Sequence, residues 1–399
     1  MIFDPTLFRQ QFPFFHQKNG ITYLDSAATT LKPQVLLDAT QHFYASAGSV
    51  HRSQYDAKQT ALFEQARKQV QKLINAESEE TVIWTSGTTQ SINIVAYGLM
   101  AQLSPNDEII ISEAEHHANF VTWQQIAKKC GATLIILPLQ DNLLIDQQIL
   151  QKSLNKKTKL VALNVISNVT GTQQPLTQLI PIIREKSRAL ILLDCAQAIN
   201  HQTIDLQRLD ADFIVFSAHK IYGPTGLGVL SGKRSALERL QPSFFGGKMV
   251  EQVSKQETVF ASLPYRLESG TPNIAGVIGF GAVLNWLEQW NITQGEQFAV
   301  QLAEKTKERL KNYPHCRLFN SPHPSTFVCF TFTTIATSDI ATLLAEQHIA
   351  LRSGEHCAKP YLQRLGQKST LRLSFAPYNN QEDIELFFSA LDKSLELLA

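Results

Sequence analysis

Short apolar runs rich in branched side chains recur between residues 81 and 230, and longer stretches with helical spacing of apolar positions separate them. Runs of this length are typical of buried strands in parallel sheets. We predict strands over 81–84, 108–112, 133–137, 160–164, 189–193, 213–216 and 228–230, and helices over 60–80, 119–131 and 274–290. Because strands that alternate with helices form βαβ units, the pattern predicts an α/β fold with a mostly parallel sheet.

The pattern changes after about residue 291, where strands and helices no longer alternate regularly. We predict a helix over 293–312, a strand over 326–332, a helix capped by Ser338, strands over 349–352 and 370–374, and an amphipathic helix over 380–398. This indicates a second, smaller α+β domain. The predicted organisation is an N-terminal segment 1–24 packing on the small domain, a large domain 25–290 and a small C-terminal domain 291–399.

Composition and charge narrow the function classes. With 36 basic against 35 acidic residues, the near-neutral chain is not expected to bind nucleic acid or a membrane surface. No window approaches the roughly 18 apolar residues of a spanning helix, and the N-terminus lacks the features of a signal peptide. Five cysteines without paired or metal-binding spacing fit a reducing compartment and predict no metal site. We therefore expect a cytoplasmic enzyme.

Two polar residues follow predicted core strands and suggest a cofactor. Asp194 comes directly after strand 189–193, and Lys220 comes four residues after strand 213–216. Ligands of open α/β sheets bind at the carboxyl ends of strands. A lysine that forms a Schiff base and an aspartate that pairs with a pyridinium nitrogen are the groups that pyridoxal phosphate requires. The alternatives are a helix-capping aspartate and a solvated lysine, but the pair at matching strand ends predicts pyridoxal 5'-phosphate.

Further polar residues stand where such a cofactor would lie. The segment 86–91 follows a strand and opens a helix, whose N-terminus suits a phosphate or is an ordinary cap. Ser217 and His219 flank the lysine closely enough to reach the same phosphate. The amides of Asn168 and Gln197 also follow strands and are placed for the ring oxygen, the phosphate or a substrate carboxylate. Lys220 needs a neutral amine, which burial or a nearby cation would favour.

A histidine pair, a cysteine and an arginine are the remaining candidates. One imidazole of the 115–119 segment could cover the cofactor ring and move protons, although adjacent histidines are often surface residues. Cys357 lies in a loop bounded by glycine and proline, where His356 and Lys359 are cations that would favour its thiolate. Arg372 interrupts an apolar strand, so it meets either a substrate carboxylate or an internal carboxylate. We expect the other four cysteines to be packing residues: Cys130, Cys195, Cys316 and Cys329.

The order of these motifs resembles the cysteine desulfurases of the class V aminotransferase superfamily. Within that group the chain looks most similar to the cysteine sulfinate desulfinase branch, beside desulfurases that double as selenocysteine lyases. The resemblance runs from residue 23 to the final helix and rests on Tyr23-Leu-Asp-Ser-Ala-Ala-Thr29, Ser49-Val-His-Arg-Ser53, Gly87-Thr-Thr89, Ala114-Glu-His-His-Ala-Asn119, Ser167-Asn-Val169, Asp194 to Gln197, His219-Lys220, Glu268-Ser-Gly-Thr-Pro-Asn273 and Gly354 to Pro360.

The resemblance implies the fold of the aspartate aminotransferase-like pyridoxal-phosphate transferases and a set of residue roles. Lys220 would form the Schiff base, Asp194 would pair with the ring nitrogen and His117 would stack on the ring. Cys357 would take sulfur from L-cysteine as a persulfide, leave L-alanine and pass the sulfur to a small acceptor protein. The resemblance further implies cofactor contacts from Thr88, Thr89, Asn168, Gln197, Ser217 and His219, a phosphate contact from Thr271 of the second subunit of a homodimer, and a substrate carboxylate held by Arg372, Arg352 and Asn168.

Departures from the family pattern leave the substrate open among cysteine, cysteine sulfinate and selenocysteine. Ser353, Glu355 and Lys359 are unusual beside the thiol, and Tyr55 replaces a histidine of the lyase branch. The competing hypotheses are a selenocysteine lyase, another class V enzyme such as a kynureninase-like hydrolase, and a non-catalytic partner protein that keeps the fold. Cys357 argues against the hydrolase, whose reaction needs no loop thiol. The retained cofactor lysine and aspartate argue against the non-catalytic protein.

Overall fold

The computed structural model describes residues 2–17, 20–46 and 48–398. The predicted segments 1–24, 25–290 and 291–399 include five residues outside the described ones, namely Met1, Lys18, Asn19, Ala47 and Ala399. The three boundaries remain predictions, whereas the elements inside them can be compared directly with the structure.

The described residues form fifteen α-helices and fifteen strands. The helices are α1 (Pro5–Arg9), α2 (Gln34–Tyr44), α3 (Ala57–Leu73), α4 (Thr88–Met100), α5 (His117–Cys130), α6 (Gln147–Ser153), α7 (Leu176–Lys186), α8 (Ala198–His201), α9 (Leu206–Leu209), α10 (Arg234–Leu237), α11 (Ile274–Leu287), α12 (Ile292–Leu310), α13 (Thr337–Glu346), α14 (Lys359–Arg364) and α15 (Gln381–Leu398). The strands are β1 (Thr22–Tyr23), β2 (Val82–Thr85), β3 (Glu108–Ser112), β4 (Thr133–Leu137), β5 (Thr158–Asn164), β6 (Leu190–Asp194), β7 (Phe213–Ser217), β8 (Gly228–Gly232), β9 (Val250–Val253), β10 (Thr258–Phe260), β11 (Cys316–Leu318), β12 (Phe327–Phe332), β13 (Ile349–Ala350), β14 (Arg352–Gly354) and β15 (Thr370–Ser374).

The central sheet has seven strands in the order β2-β8-β7-β6-β5-β3-β4. Only β8 runs antiparallel to its neighbours, so the predicted mostly parallel sheet is confirmed. Successive residues of β6 enter opposite cores, with Ile191 and Leu193 in one and Leu190 and Leu192 in the other. Because a strand's side chains alternate between its two faces, a sheet covered on both faces needs continuous apolar runs. That requirement explains why the strands were readable in the sequence.

The second sheet is antiparallel and has the order β11-β12-β15-β14. Helices α12, α13 and α15 pack with it around a separate core that includes Leu302, Phe330 and Phe387. The predicted α+β arrangement of the C-terminal part is therefore confirmed. The N-terminal segment joins this part through the parallel pair of β1 and β13. Its rings Phe8 and Phe12 also contact the Trp286 ring of α11, at centroid distances of 5.3 and 5.8 Å.

Apart from shifts of up to three residues at the ends of elements, three predictions differ from the structure. Helix α3 ends at Leu73 rather than at residue 80, because Asn75 adopts the left-handed conformation that often ends a helix. The predicted strand 349–352 is two short strands, since β13 pairs with β1 while β14 pairs with β15. Helix α13 begins at Thr337 after the cap position Ala336, so Ser338 is not its cap. Each difference depends on contacts that a local pattern does not contain.

Helix α11 contains three glycines and is nevertheless intact, as predicted. A Cβ on Gly279 would lie 2.7 Å from Leu36 Cδ1 of α2, and one on Gly281 would lie 2.9 Å from Ala66 Cβ of α3. Tertiary packing against these two helices thus outweighs the low helix propensity of glycine. Over the three described ranges, no helix combines the length and the hydropathy that crossing a bilayer requires.

Candidate active site

A cavity of about 190 Å³ lies at the carboxyl ends of β5, β6 and β7. It brings together ten of the thirteen predicted site residues, while His117, Thr271 and Cys357 lie outside its lining. The lining side chains are Ala27, Thr88, Thr89, His116, Ala118, Asn164, Ile166, Asn168, Asp194, Ala196, Gln197, Ser217, His219, Lys220, Arg352, His356 and Arg372.

Asp194 is the last residue of β6 and lies at the floor of the cavity. Its carboxylate is 5% exposed and accepts a hydrogen bond from Ala196 N at 2.9 Å. Burial raises the pKa of Asp194 to about 6, and this hydrogen bond and the charge of Lys220 oppose the rise. A buried carboxylate of this kind is well suited to pair with a protonated ring nitrogen.

Lys220 ends a single 3₁₀ turn, Ala218–Lys220, directly after β7. Its Nζ donates to Ala27 O, which also accepts from Gln197 Nε2 at 2.9 Å. Burial lowers the pKa of Lys220 to about 7, and the positive charge of Arg372 adds to this effect. The uncharged amine needed for Schiff-base formation is therefore accessible near neutral pH.

The opposite wall of the cavity offers a site for a phosphate. Helix α4 begins at Thr88, whose backbone N–H donates to Ser217 Oγ at 2.8 Å, and the two hydroxyls lie 2.7 Å apart. The turn before the helix, which contains Gly87, packs closely against Gly228 of β8. A Cβ on Gly228 would lie 2.4 Å from Gly87 Cα. The N-terminus of a thirteen-residue helix together with hydroxyl donors suits an anion.

The residues around this wall fit the phosphate and ring of pyridoxal phosphate. His219 Nδ1 is buried and has no hydrogen-bond partner among the described residues. Burial lowers the pKa of His219 to about 4, so its imidazole is neutral and can donate to a ligand oxygen. An unpartnered buried polar atom beside a helix N-terminus is explained when a bound anion supplies the missing partner.

The structure separates the two adjacent histidines. His116 lines the cavity, and its Nδ1 accepts from Ala118 N at 3.1 Å, which caps α5. His117 is instead the first residue of α5; its Nε2 accepts from Lys359 N at 3.1 Å and its N–H donates to Cys357 O at 2.7 Å. His117 therefore lies outside the cavity lining, whereas His116 belongs to it. Burial lowers the pKa of His116 to about 4 and leaves a neutral imidazole at the cavity wall.

Arg372 on β15 lies at the end of the cavity nearest the second sheet and is 1% exposed. Its guanidinium donates to Asn168 O and to Asp25 Oδ1, each at 2.7 Å, while Nε has no partner among the described residues. Arg352 lies directly across the strand pair from Arg372. The internal ion pair anticipated as an alternative thus exists, and it coexists with a buried Nε that has no partner among the described residues.

Cys357 lies in the loop between β14 and α14 and is partly exposed. Both His356 and Cys357 have positive φ angles, 51° and 55°, which non-glycine residues rarely adopt. The loop that follows β5 holds this segment, because Asn168 Nδ2 donates to His356 O at 2.7 Å. Arg352 Nη2 lies 3.7 Å from Cys357 Sγ, so a cation adjoins the sulfur, as is typical of reactive cysteines.

The expected cationic neighbours of the thiol require correction. Burial lowers the pKa of His356 to about 3, and its Nε2 bonds Thr370 Oγ1 at 2.9 Å, so this ring is neutral. Lys359 pairs with Glu355 at 3.3 Å on the exposed side of the loop. The unusual glutamate and lysine therefore offset each other, and Arg352 supplies the charge beside the sulfur.

The other four cysteines differ from Cys357. Cys195 is fully buried in the large core, where burial raises the pKa of its thiol well above the usual value. Burial also raises the pKa of Cys329 and of Cys316 to about 11. Cys130 lies at the end of α5, and burial raises the pKa of its thiol as well. All four are thus poor thiolates, in agreement with the predicted packing role.

Thr271 lies away from the cavity in the exposed loop before α11. This loop is fixed to residues 244–247 by a hydrogen bond from Gly270 N to Gly247 O at 2.9 Å. Phe244 and Phe245 beside it are 54% and 72% exposed. The position is compatible with a contact to another chain but gives no contact to the cavity of the same chain.

Three groups at or beside the cavity have no role in the sequence predictions: the Ala27 carbonyl, His116 and Asp25, which pairs with the lining residue Arg372. Asp25 and Ala27 belong to the motif 23–29, which was recognised without a role for its members. The available signal was the position of Asp25 two residues after the end of β1, comparable to that of Asp194 at the end of β6. For the histidines the signal was absent, because adjacent residues at a helix start differ only in side-chain direction.

Comparisons with known proteins identify the family. Residues 22–387 match the aminotransferase class-V family. The chain is 69% identical over 398 residues to a probable cysteine desulfurase of Pasteurella multocida, covering 100% of this chain and 94% of the relative. It is 46% identical over 401 residues to cysteine desulfurase CsdA of Escherichia coli, covering 100% and 99%.

Solved structures agree with this relationship. The crystal structure of E. coli cysteine desulfurase CsdA (S-sulfonic acid) matches with a TM-score of 0.94 at 45% identity, covering 100% of both chains. The apo structure of cysteine desulfurase from Thermococcus onnurineus matches with a TM-score of 0.91 at 31% identity, covering 97% of both chains. The chain therefore belongs to the pyridoxal-phosphate-dependent cysteine desulfurases of the aminotransferase class-V family.

Proposed function

We propose that this protein converts L-cysteine to L-alanine and carries the released sulfur on Cys357 as a persulfide. One observation supports this most directly. A cavity lined by Lys220 and Asp194 adjoins the loop of a partly exposed cysteine, and Asn168 and His117 hold that loop by hydrogen bonds. Cofactor chemistry and a sulfur acceptor are thereby combined in one place.

The cavity residues have distinct roles in this proposal. Lys220 holds the cofactor and, once released, moves the proton at the substrate Cα. Asp194 pairs with the ring nitrogen, and His116, rather than His117, covers the ring. When bound, pyridoxal phosphate supplies an electron sink for bonds broken at the substrate. The phosphate and ring oxygens are bound by Thr88, Thr89, Asn168, Gln197, Ser217 and His219.

Arg372 orients the substrate in this proposal. Its unpartnered Nε and the nearby guanidinium of Arg352 suit a carboxylate, and Asn168 lies between them and the cysteine loop. The ion pair with Asp25 fixes the guanidinium in place before the substrate binds. Such a preformed cation costs little reorganisation when an anion arrives.

The sulfur step balances as L-cysteine and the Cys357 thiol giving L-alanine and the Cys357 persulfide. The Cβ–S bond of the substrate breaks with its electron pair left on carbon, and a proton replaces the sulfur there. An S–S bond to Cys357 Sγ forms at the same time. Arg352, 3.7 Å from Sγ, supplies positive charge beside the attacking sulfur.

The test is to measure alanine, sulfide and sulfite separately from L-cysteine, cysteine sulfinate and selenocysteine. We expect alanine from cysteine and, in mass spectra, one additional sulfur atom on the peptide that contains Cys357. Alanine formation without sulfur on that peptide would contradict the persulfide. Cysteine sulfinate desulfinase and selenocysteine lyase activities are the alternatives, and the three substrates distinguish them directly.

We further propose a homodimer in which Thr271 contacts the cofactor phosphate of the second subunit, and a small acceptor protein that takes the sulfur. The exposed Phe244 and Phe245 beside the Thr271 loop support an interface at this surface. Light scattering should give twice the chain mass, and Phe245→Asp should lower it. The partial exposure of Cys357 supports transfer to another protein.

We also propose a cytoplasmic location. All five cysteines are free in the structure. Free thiols persist in reducing compartments, whereas exported proteins commonly pair them. Fractionation of cells that express the protein, with antibody detection in each fraction, tests this proposal.

A further inference from the structure

Lys32 lies just outside the cavity and belongs to none of the groups assigned above. Its Nζ donates to Thr30 O at 2.7 Å, to Thr29 Oγ1 at 3.1 Å and to His219 O at 3.2 Å. These three partners are two carbonyls and one hydroxyl, all neutral. The side chain is partly buried, and burial lowers the pKa of Lys32 to about 7.

An ammonium that is partly withdrawn from water and bonded to neutral oxygens is costly, because no opposite charge compensates for its lost hydration. The contact with the His219 carbonyl suggests a role for this ammonium, because His219 O is the last carbonyl before Lys220 in the chain. Whatever fixes this carbonyl fixes the peptide from which the Lys220 side chain extends.

Several donors from one short segment converge on that carbonyl. Thr30 N donates to His219 O at 3.0 Å, and the hydroxyls of Thr30 and Thr29 lie 3.1 and 3.2 Å from it. Thr30 Oγ1 also accepts from Tyr222 N at 2.7 Å, on the other side of the Lys220 turn. The segment 29–32 thus makes hydrogen bonds to the turn on both sides of Lys220.

The same segment continues directly into the other contacts of the site. Two residues before Thr29, the Ala27 carbonyl accepts from Lys220 Nζ and Gln197 Nε2. Two residues earlier again, Asp25 pairs with Arg372. The ammonium of Lys32 therefore holds one end of the segment 25–32. This segment contacts both the cofactor lysine, Lys220, and the carboxylate-binding arginine, Arg372.

We propose that Lys32 is a positioning residue for Lys220, which it serves by holding the His219 carbonyl and thereby fixing the turn that presents the cofactor lysine. This inference rests on the proposed role of Lys220. Lys32 itself touches neither cofactor nor substrate in this scheme. Its loss should loosen the cofactor attachment without removing any group that binds or reacts.

The experiment compares Lys32→Met, Lys32→Arg and Lys307→Met with the unaltered holoenzyme. Lys307 is a matched control, because it is a buried lysine on α12 that pairs with Glu304 at 2.8 Å, away from the cavity. The readouts are thermal unfolding, visible circular dichroism per bound pyridoxal phosphate, and kcat and KM for cysteine. Visible dichroism reports how rigidly the protein holds the cofactor and requires no turnover.

We expect Lys32→Met to lower the visible dichroism and to lower kcat about 10-fold, since a misplaced reacting group costs up to about 100-fold. The KM should stay within about twofold, because carboxylate binding is untouched. Lys32→Arg should restore much of both signals, and Lys307→Met should change neither. A Lys32→Met protein that matches Lys307→Met in dichroism and kcat overturns the proposal.

Lys32→Gln keeps the test decisive if Lys32→Met does not fold, because its amide keeps a hydrogen-bond donor and removes the charge. The two N–H groups of an amide cannot serve all three partners of Lys32, which are Thr30 O, Thr29 Oγ1 and His219 O. We expect the same loss of dichroism to a smaller extent, and unchanged dichroism would overturn the proposal. If the unaltered protein releases no alanine from cysteine, the proposed function fails, but the dichroism comparison still reports on Lys32.

Discussion

The cofactor end and the sulfur end of this site are built differently. Asp194 and Ser217 are the last residues of buried parallel strands, and Lys220 follows one turn later. Cys357 instead lies in a short loop whose backbone adopts two unfavourable positive φ angles. Strand ends of a sheet covered on both faces allow little displacement, whereas a loop held by a few hydrogen bonds can present its thiol in more than one direction.

The difference follows the demands on the two groups. The cofactor lysine and aspartate meet one ligand in one geometry, so a rigid position lowers the cost of every turnover. In the proposed reaction the thiol meets the substrate inside the cavity and an acceptor outside it. The loop is accordingly held by a few hydrogen bonds, from Asn168 Nδ2 to His356 O, from His117 N to Cys357 O and from Lys359 N to His117 Nε2.

The largest effect is expected at the rigid end. Lys220→Ala should lower alanine formation by roughly 10³-fold or more, because it removes both the Schiff base and the proton-transfer group. Borohydride should fix the cofactor onto Lys220 in the unaltered protein and should leave no adduct in the variant. A reducible adduct in Lys220→Ala would show that the lysine was assigned wrongly.

Removal of the thiol in the cysteine loop should strongly lower activity with one substrate only. Cys357→Ser should nearly abolish alanine formation from cysteine, since no other thiol is placed to accept the sulfur. It should keep most of its alanine formation from cysteine sulfinate, which can lose sulfur dioxide without an attacking thiol. Separate assays of the two substrates, with Cys130→Ser as the control, test this. Equal loss on both substrates would mean that Cys357 has a structural role.

Arg372 links the two ends, so its removal should have an intermediate effect. A charged hydrogen bond in a desolvated site contributes on the order of 1.5–3 kcal/mol, so Arg372→Ala should lower kcat/KM for cysteine roughly 10- to 100-fold. Asp25→Asn is the matched control, because it breaks the ion pair and keeps the guanidinium. If both variants lose kcat/KM equally, with equal losses of thermal stability, Arg372 serves only the ion pair.

The smallest difference in activity is expected between variants of the two adjacent histidines, His116 and His117. His116→Ala removes the imidazole at the cavity and should lower kcat by roughly 10-fold or more, as expected for a group that acts on the reacting atoms. His117→Ala removes only the acceptor for Lys359 N and should cost less, mainly through the position of the cysteine loop. Steady-state kinetics with cysteine decide this, and a larger loss in His117→Ala would reverse the assignment.

The parts of this site that the sequence predicted are local. Asp194, Ser217 and Lys220 each follow an apolar run, and such a run specifies both the strand and the place where it ends. Asp25, the Ala27 carbonyl and Lys32 depend on contacts with residues about 190 to 350 positions away, as hydrogen bonds from Arg372 to Asp25 and from Lys220 to Ala27 show. No local pattern carries that information. The neutral state of His356 was missed for the same reason, because its burial depends on the fold around it.

The pairing of the first strand with the last part of the chain has a consequence for synthesis. Strand β1 lies beside β13, Asp25 bridges to Ser374, and Asp25 pairs with Arg372. Because synthesis proceeds from the N-terminus, Asp25 is made early and Arg372 late. The nascent chain therefore contains the cofactor lysine, Lys220, long before its carboxylate-binding corner is complete. We expect the growing polypeptide to have that corner open until residues 349–374 have been synthesised and have paired with β1 and Asp25.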